Sequence, residues 1–477
     1  MGSPERVDAR ALIGVLGDWS AGAGPLYRQL ASALVSAVER GDLPPGMRLP
    51  AERSIAEALP VARNTVVAAF GLLVESGHVV RRQGSGSTVA GESRGDRPAL
   101  AAGLRAQTLT GRALHHGGQD DPVELGLSVL DDPESLPAWA FDVDPVTVGR
   151  AGRGHGYAPL GIDALRDRVA ELLTARGLPS ASSEVAITLG AQHGIALAAE
   201  VLGDRGTGVA VEDPTYPGAI DVYSRAGLRF AAVDTDAGGT DPASLRRVLA
   251  GGGVGLVHLA PQCASPTGVV TVDARRPEIL EFLRASDAWL VEDAALEFLA
   301  PPAEHGYLAA SMPERSVVVG TTSKVLWGGL RVGWLRAPAS VVERIGRLRA
   351  AHDLGSPVAP QVTALRLLDD IDDIADQRRT RAAGRRQYLR ERILAAVPDV
   401  RIAVPDGGLS LWVEVEDADR LVADAATVGL DMVSGRVCSV TGGQTDRVRL
   451  SVWAPEVVLD EAARRFGVAW RLGRSDD

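Results

Sequence analysis

The chain has 477 residues, of which 45% are hydrophobic but only 4% aromatic, and it carries a formal net charge of -11. That length predicts two or three domains, with cores filled mainly by Ala, Val and Leu. The acidic balance excludes indiscriminate attachment to nucleic acid or anionic membranes. Two cysteines, Cys263 and Cys438, are too few for a disulfide framework. No apolar run is long enough to span a bilayer, and residues 1–6 hold no signal-peptide core, so a cytoplasmic protein is expected.

Charge is unevenly spread. Over 1–90, nine arginines stand against eight acids, a balance of +1 that leaves -12 for the rest, so only this end suits DNA. The span 25–90 reads as one compact unit. Leu26, Leu30, Leu34 and Val38 recur at helical spacing up to Gly41. Leu43-Pro44-Pro45-Gly46 is a turn, and Pro50-Ala51-Glu52-Arg53 opens a short second helix. A third helix is predicted over about 62–76, with Val66, Phe70 and Leu73 as its apolar stripe. Residues 78–82, 83–86 and 87–89 then read as strand, turn and strand.

That order is a winged helix-turn-helix, whose recognition helix puts its first residues into the major groove. Arg bonds guanine bidentately and Asn does so with adenine, which makes Arg63 and Asn64 candidate base readers. Arg48, Arg53 and Thr65 are candidate phosphate ligands; Arg81 and Arg82, with Gly84 at the wing tip, would meet the backbone or minor groove. A winged helix that docks another protein is the alternative reading of the same elements.

Residues 91–122 are rich in Gly, Arg, Ala, Asp and His with little apolar periodicity, and read as a linker with a helical patch near 100–104. From 123 the pattern is α/β. Short apolar runs at 185–189, 209–212, 230–233, 255–260, 288–291, 317–320 and 332–335 are interleaved with helical stretches such as 164–176, 195–202 and 277–285. They predict a mostly parallel sheet covered on both faces, with ligands at the carboxyl ends of its strands. This large part covers about 155–340. A long helical stretch and strand-like runs at 409–415 and 448–452 predict a smaller α+β part over about 341–477.

Lys324 is the only lysine; every other basic residue counted is arginine. Arg stays protonated, whereas Lys can lose its proton and attack a carbonyl. Its setting, Gly320-Thr321-Thr322-Ser323-Lys324 followed by Gly328-Gly329-Leu330-Arg331, resembles that of a lysine that forms a Schiff base with pyridoxal 5'-phosphate (PLP). PLP has further needs. Asp293 at the end of Trp289-Leu290-Val291-Glu292-Asp293 would keep the ring nitrogen protonated. Gly190-Ala191-Gln192, opening a helix, would take the phosphate, with Ser323 and Arg331 completing the cradle.

The stretches Pro25-Leu26-Tyr27, Gly46-Met47-Arg48-Leu49-Pro50, Arg63-Asn64-Thr65-Val66 and Gln83-Gly84-Ser85-Gly86-Ser87 resemble a GntR-type head. Residues 123–477 resemble fold-type I aminotransferases. A GntR head, a linker and such a body define the MocR family of bacterial transcription regulators, which the chain resembles along nearly its whole length. It is most similar to the subgroup whose lysine motif ends as Gly328 to Trp334 does here. The resemblance implies a homodimer that binds operator DNA, with PLP or an amino acid as effector. It also implies that Tyr157 reaches the phosphate of the neighbouring subunit's cofactor, that Tyr216 stacks on PLP, and that Arg449 binds an α-carboxylate. Taken singly, Asp293 could instead cap a helix, Arg449 could be a strand-end ion pair and Tyr216 could be core.

Two positions depart from the aminotransferase pattern. Ser265 replaces the Asn of an Asn-Pro-Thr-Gly motif, and Ala295 stands where many relatives have Tyr. Those groups bond the cofactor's phenolic oxygen, so their loss predicts cofactor binding with weak or no turnover. The rival readings are a working aminotransferase that carries a DNA-binding head, and a cofactor-free body that only dimerises.

Overall fold

The computed structural model describes residues 9–16, 19, 26–39, 43, 47–59, 61–75, 79–82, 86–89, 122–130, 132–204, 206–301 and 306–473. The chain divides into two compact units, Met1–Thr110 and Gly111–Asp477. Linker residues 91–121, including the helical patch near 100–104, and Gly84 lie outside the described residues.

In the first unit, helices α1 (Ala9–Leu16), α2 (Leu26–Glu39), α3 (Glu52–Ala58) and α4 (Arg63–Glu75) precede the antiparallel pair β1 (Val79–Arg82) and β2 (Gly86–Val89). Leu30, Leu34, Ile55, Val66, Phe70, Leu73, Val79 and Val89 form one core, so the predicted stripe of the third helix faces inward. Leu26, expected on the inner face of α2, is 44% exposed; Ala37 is buried at the other end of that face. Helix α1 was not legible in the sequence. Its eight residues are marginal as an isolated helix and owe their order to burying Leu12 and Leu16 in this core. Leu49 N–H donates to Ser87 O (2.9 Å) and Val89 N–H to Met47 O (2.8 Å), joining the turn before α3 to the wing.

The second unit is built on eight strands: β4 (Val185–Thr188), β5 (Gly208–Asp213), β6 (Arg229–Asp236), β7 (Gly239–Thr240), β8 (Val254–Leu259), β9 (Trp289–Asp293), β10 (Ser316–Thr321) and β11 (Gly333–Arg336). Their order is β4-β11-β10-β9-β8-β5-β6-β7. Only β11 and β7 run antiparallel to their neighbours. Strands β4, β5, β10 and β11 are buried along their whole length, as runs of Val, Ala, Ile and Gly must be when helices cover both faces.

A smaller antiparallel sheet follows, with order β12-β13-β16-β15, formed by β12 (Arg401–Ile402), β13 (Ser410–Glu414), β15 (Val433–Ser434) and β16 (Arg447–Ser451). The helices Ile371–Ala396 and Glu456–Leu472 pack on it through Leu389, Ile393 and Phe466. The start of this unit returns to the same place. Strand β3 (Val123–Glu124) pairs in parallel with β14 (Leu430–Asp431), and Val123 and Leu125 enter the small-sheet core. This pairing spans most of the unit's sequence, and no local pattern announces it.

Candidate functional site

Strand β10 ends at Thr321 and turns through Thr322–Lys324. Thr321 Oγ1 accepts from Ser323 N–H (3.1 Å) and donates to Ser323 Oγ (3.0 Å); Thr322 Oγ1 donates to Val332 O (2.8 Å). The lysine turn is thereby clamped to the chain entering β11. Lys324 Nζ donates to Ser128 O. Burial of the amine, then the charges of Arg449 and Arg331, lower its pKa to about 8 against the opposing pull of Asp293. A half-buried lysine so depressed is partly neutral near physiological pH and therefore nucleophilic.

Asp293 ends the adjacent strand β9, opposite Val319 of β10, and is 6% exposed. Its Oδ1 accepts from Ala295 N–H (2.9 Å), and its Oδ2 lies 3.8 Å from His258 Nε2. The other nitrogen of His258, Nδ1, meets Tyr223 Oη at 3.1 Å. Burial lowers the His258 pKa to about 4, so the ring is neutral. Burial raises Asp293 to about 6, while the Ala295 N–H and Lys324 pull it back. His258 and Tyr223 escaped the sequence reading. The only signal was a histidine within the otherwise apolar run of β8.

Beyond β4, Gly190 adopts φ 114° and begins the helix Ala191–Leu202. The backbone is tight here: a Cβ on Gly333 would sit 2.6 Å from Gly190 Cα. Arg331, itself at φ 53°, donates to Leu189 O, and its guanidinium lies within 4 Å of where a Gly190 Cβ would be. Thr321 Oγ1 is 3.5 Å from the same point. The fold thus gathers Gly190, Ala191, Ser323 and Arg331 into a cradle of helix N-terminus, hydroxyls and cation, which suits a phosphate. Tyr216 Oη donates to Gln192 Oε1 (3.1 Å), bringing the loop after β5 to the same place.

Arg449 projects from β16 and is 8% exposed; its Nη2 donates to Gly126 O (2.6 Å). Its charge acts on both Lys324 and Tyr216, so the small sheet faces the crevice. Ser265 is partly buried on the loop after β8, and Ala295 contributes its backbone N–H to Asp293. Tyr157 is not joined to these groups: it is 62% exposed, with its ring against His155.

In the first unit Arg63 and Asn64 are exposed as the first residues of α4, and Thr65 is partly exposed. Exposed Arg53 pairs with Glu57 (3.0 Å), a contact weak enough for a phosphate to displace. Arg48 bridges to Thr88 of the wing. Arg81 and Arg82 lie on β1 opposite Ser87 and Gly86; their side chains are outside the described residues. Among the described residues no helix is long and apolar enough to cross a membrane, and no cluster of side chains has metal-ligand character.

Residues 26–89 match the bacterial regulatory proteins of the gntR family, and residues 124–466 match aminotransferase class I and II. The HTH-type transcriptional regulator TauR of Rhodobacter capsulatus is 30% identical over 87% of this chain and 90% of its own length. The chain belongs to the MocR-type transcription regulators. A second such regulator, the pyridoxine biosynthesis regulator PdxR of Corynebacterium glutamicum, is 26% identical over 85% of this chain and 87% of its own. The body has the fold-type I transferase architecture. The α-aminoadipate aminotransferase LysN of Thermus thermophilus, solved with N-(5'-phosphopyridoxyl)-L-leucine, superposes with a TM-score of 0.69 at 26% identity, covering 79% of this MocR-type chain and 98% of LysN.

Proposed function

We propose that residues 1–90 bind operator DNA as part of a cytoplasmic homodimer, that the body over 123–477 holds PLP and an amino compound as effector, and that the linker over 91–122 carries the signal. The observation that supports this most is the setting of Lys324: the chain's one lysine lies in the turn that follows β10, next to the strand that ends at Asp293, with its amine depressed to about 8. PLP supplies an aldehyde for that amine, an electron-withdrawing ring and a phosphate.

The residues present fit the group. Lys324 offers the amine. Asp293, backed by neutral His258 and Tyr223, offers a carboxylate to the ring nitrogen. Gly190, Ala191, Gln192, Ser323 and Arg331 hold the phosphate, and Tyr216 and Ser265 flank the ring. Arg449 takes the effector's carboxylate in a bidentate pair. Tyr157, exposed on its loop, serves the site of the second copy, and exposed Trp139, Phe141 and Val146 supply apolar surface for that copy to cover. Ser265 and Ala295 leave the phenolic oxygen poorly supported, so turnover is weak or absent. An effector then acts only through unequal affinity for two states of the dimer.

The test is spectroscopic. Full-length protein mixed with PLP develops the cofactor's shifted absorbance band, borohydride fixes the label at position 324, and Lys324→Ala abolishes both. Protein that stays colourless in excess PLP refutes the reading. Steady ketoacid release from an amino donor would favour a working aminotransferase instead.

A further inference from the structure

We infer that residues 126–128, at the start of the body, act as an internal ligand of the effector site and are released when the site fills; this rests on the function proposed above. The two cationic groups assigned to cofactor and effector both donate to this short stretch. Arg449 Nη2 donates to Gly126 O (2.6 Å), and Lys324 Nζ donates to Ser128 O. The linker ends only a few residues upstream, where β3 pairs with β14, so residues 126–128 adjoin the anchor of the segment that leads to the DNA-binding unit.

The stretch is fastened by polar contacts more than by burial. Leu125 and Leu130 on either side are buried, whereas Leu127 between them is 41% exposed. Besides the two cations, Ser128 Oγ shares a hydrogen bond with Ser410 Oγ at 2.7 Å. At the flanks Ser451 N–H donates to Leu125 O (2.6 Å) and Gly328 N–H to Leu130 O (3.0 Å). Each ligand group removes one tether. A carboxylate competes for a guanidinium better than a neutral carbonyl does, because its bonds are charge-assisted and bidentate. An amine that condenses with an aldehyde gives both its hydrogens to the water released and keeps at most one added proton, so Lys324 loses donors to Ser128 O. Filling the site therefore frees residues 126–128 while Leu125 and Leu130 stay anchored.

The experiment is hydrogen exchange over residues 122–131 of the full-length protein, with operator affinity measured on the same samples. The probes are PLP, which engages Lys324, and N-(5'-phosphopyridoxyl)glycine, which presents a carboxylate to Arg449 without needing the lysine. The conjugate is expected to speed exchange of these amides about tenfold or more, the factor for about 1.4 kcal/mol. Ser410→Ala removes one neutral tether. In ligand-free protein it should speed the same amides and move operator affinity toward the loaded value by about five-fold, the equivalent of one ordinary hydrogen bond. Unchanged exchange in protein whose absorbance shows the cofactor bound overturns the inference and leaves the proposed function standing. Absence of both the absorbance band and conjugate binding overturns the function beneath it.

Discussion

Lys324 is the amine on which the proposed function depends; burial lowers its pKa most, and charges that can be removed singly adjust it further. With a pKa of about 8, roughly a quarter of it is neutral at pH 7.5, against about 0.1% for a lysine at its ordinary value; the site enriches the nucleophile roughly 200-fold. Below about pH 8 the second-order rate of PLP capture should therefore climb nearly tenfold per pH unit, and above it the rate should level off. Two substitutions should move that bend in opposite directions. Asp293→Asn deletes the charge that favours the ammonium, so the bend falls below about 8. Arg449→Met deletes the largest opposing charge, so the bend rises. Stopped-flow absorbance across pH 6–10 follows all three proteins. A bend near the ordinary lysine value in the unaltered protein, or variants that shift in the same direction, would refute the electrostatic reasoning.

Three further outcomes are expected. Arg63→Ala should weaken specific operator binding by 1–3 kcal/mol, about ten- to a hundred-fold, with nonspecific binding little changed; an unaltered footprint would remove α4 as the reader. Gly333→Ala places a methyl 2.6 Å from Gly190 Cα and Gly320 O, where neither neighbour is a side chain that can swing away. Overpacking of about 1–3 kcal/mol should lower the melting temperature and weaken PLP affinity in an equilibrium titration, and a melt and affinity both equal to the parent's would count against the cradle geometry. Glu212 is buried, accepts from Thr240 Oγ1 (2.6 Å) and Ala260 N–H (3.0 Å), and is pushed up to about 7 by burial. Its folded-state pKa lies above its ordinary value of 4.5, so the stability it contributes is full below about pH 4.5 and lost as pH rises through 7. Glu212→Gln, neutral throughout, should gain on the parent by on the order of 3 kcal/mol between pH 5 and 8; a melting difference that does not vary with pH would contradict this.

The head and the sheet strands were legible because their signals are local. Val66, Phe70 and Leu73 declare one helix face, and the runs that became β4, β5 and β10 are apolar throughout because both faces are covered. Lys324 stood out because no other lysine exists in the chain, and Asp293 because a strand pattern stops at a carboxylate. What stayed hidden depends on partners distant in sequence. Helix α1 is ordered by a core it does not itself define. Strand β3 finds β14 across most of the body, and His258 matters only because the fold sets it against Asp293. The carbonyls of Gly126 and Ser128 could not have been singled out, since every residue carries a carbonyl and only folding decides which ones meet a buried cation. Residue identity alone determined which groups can carry the chemistry; the tertiary structure decided what holds those groups before a ligand arrives, because charge and burial depend on neighbours that the chain brings in from elsewhere.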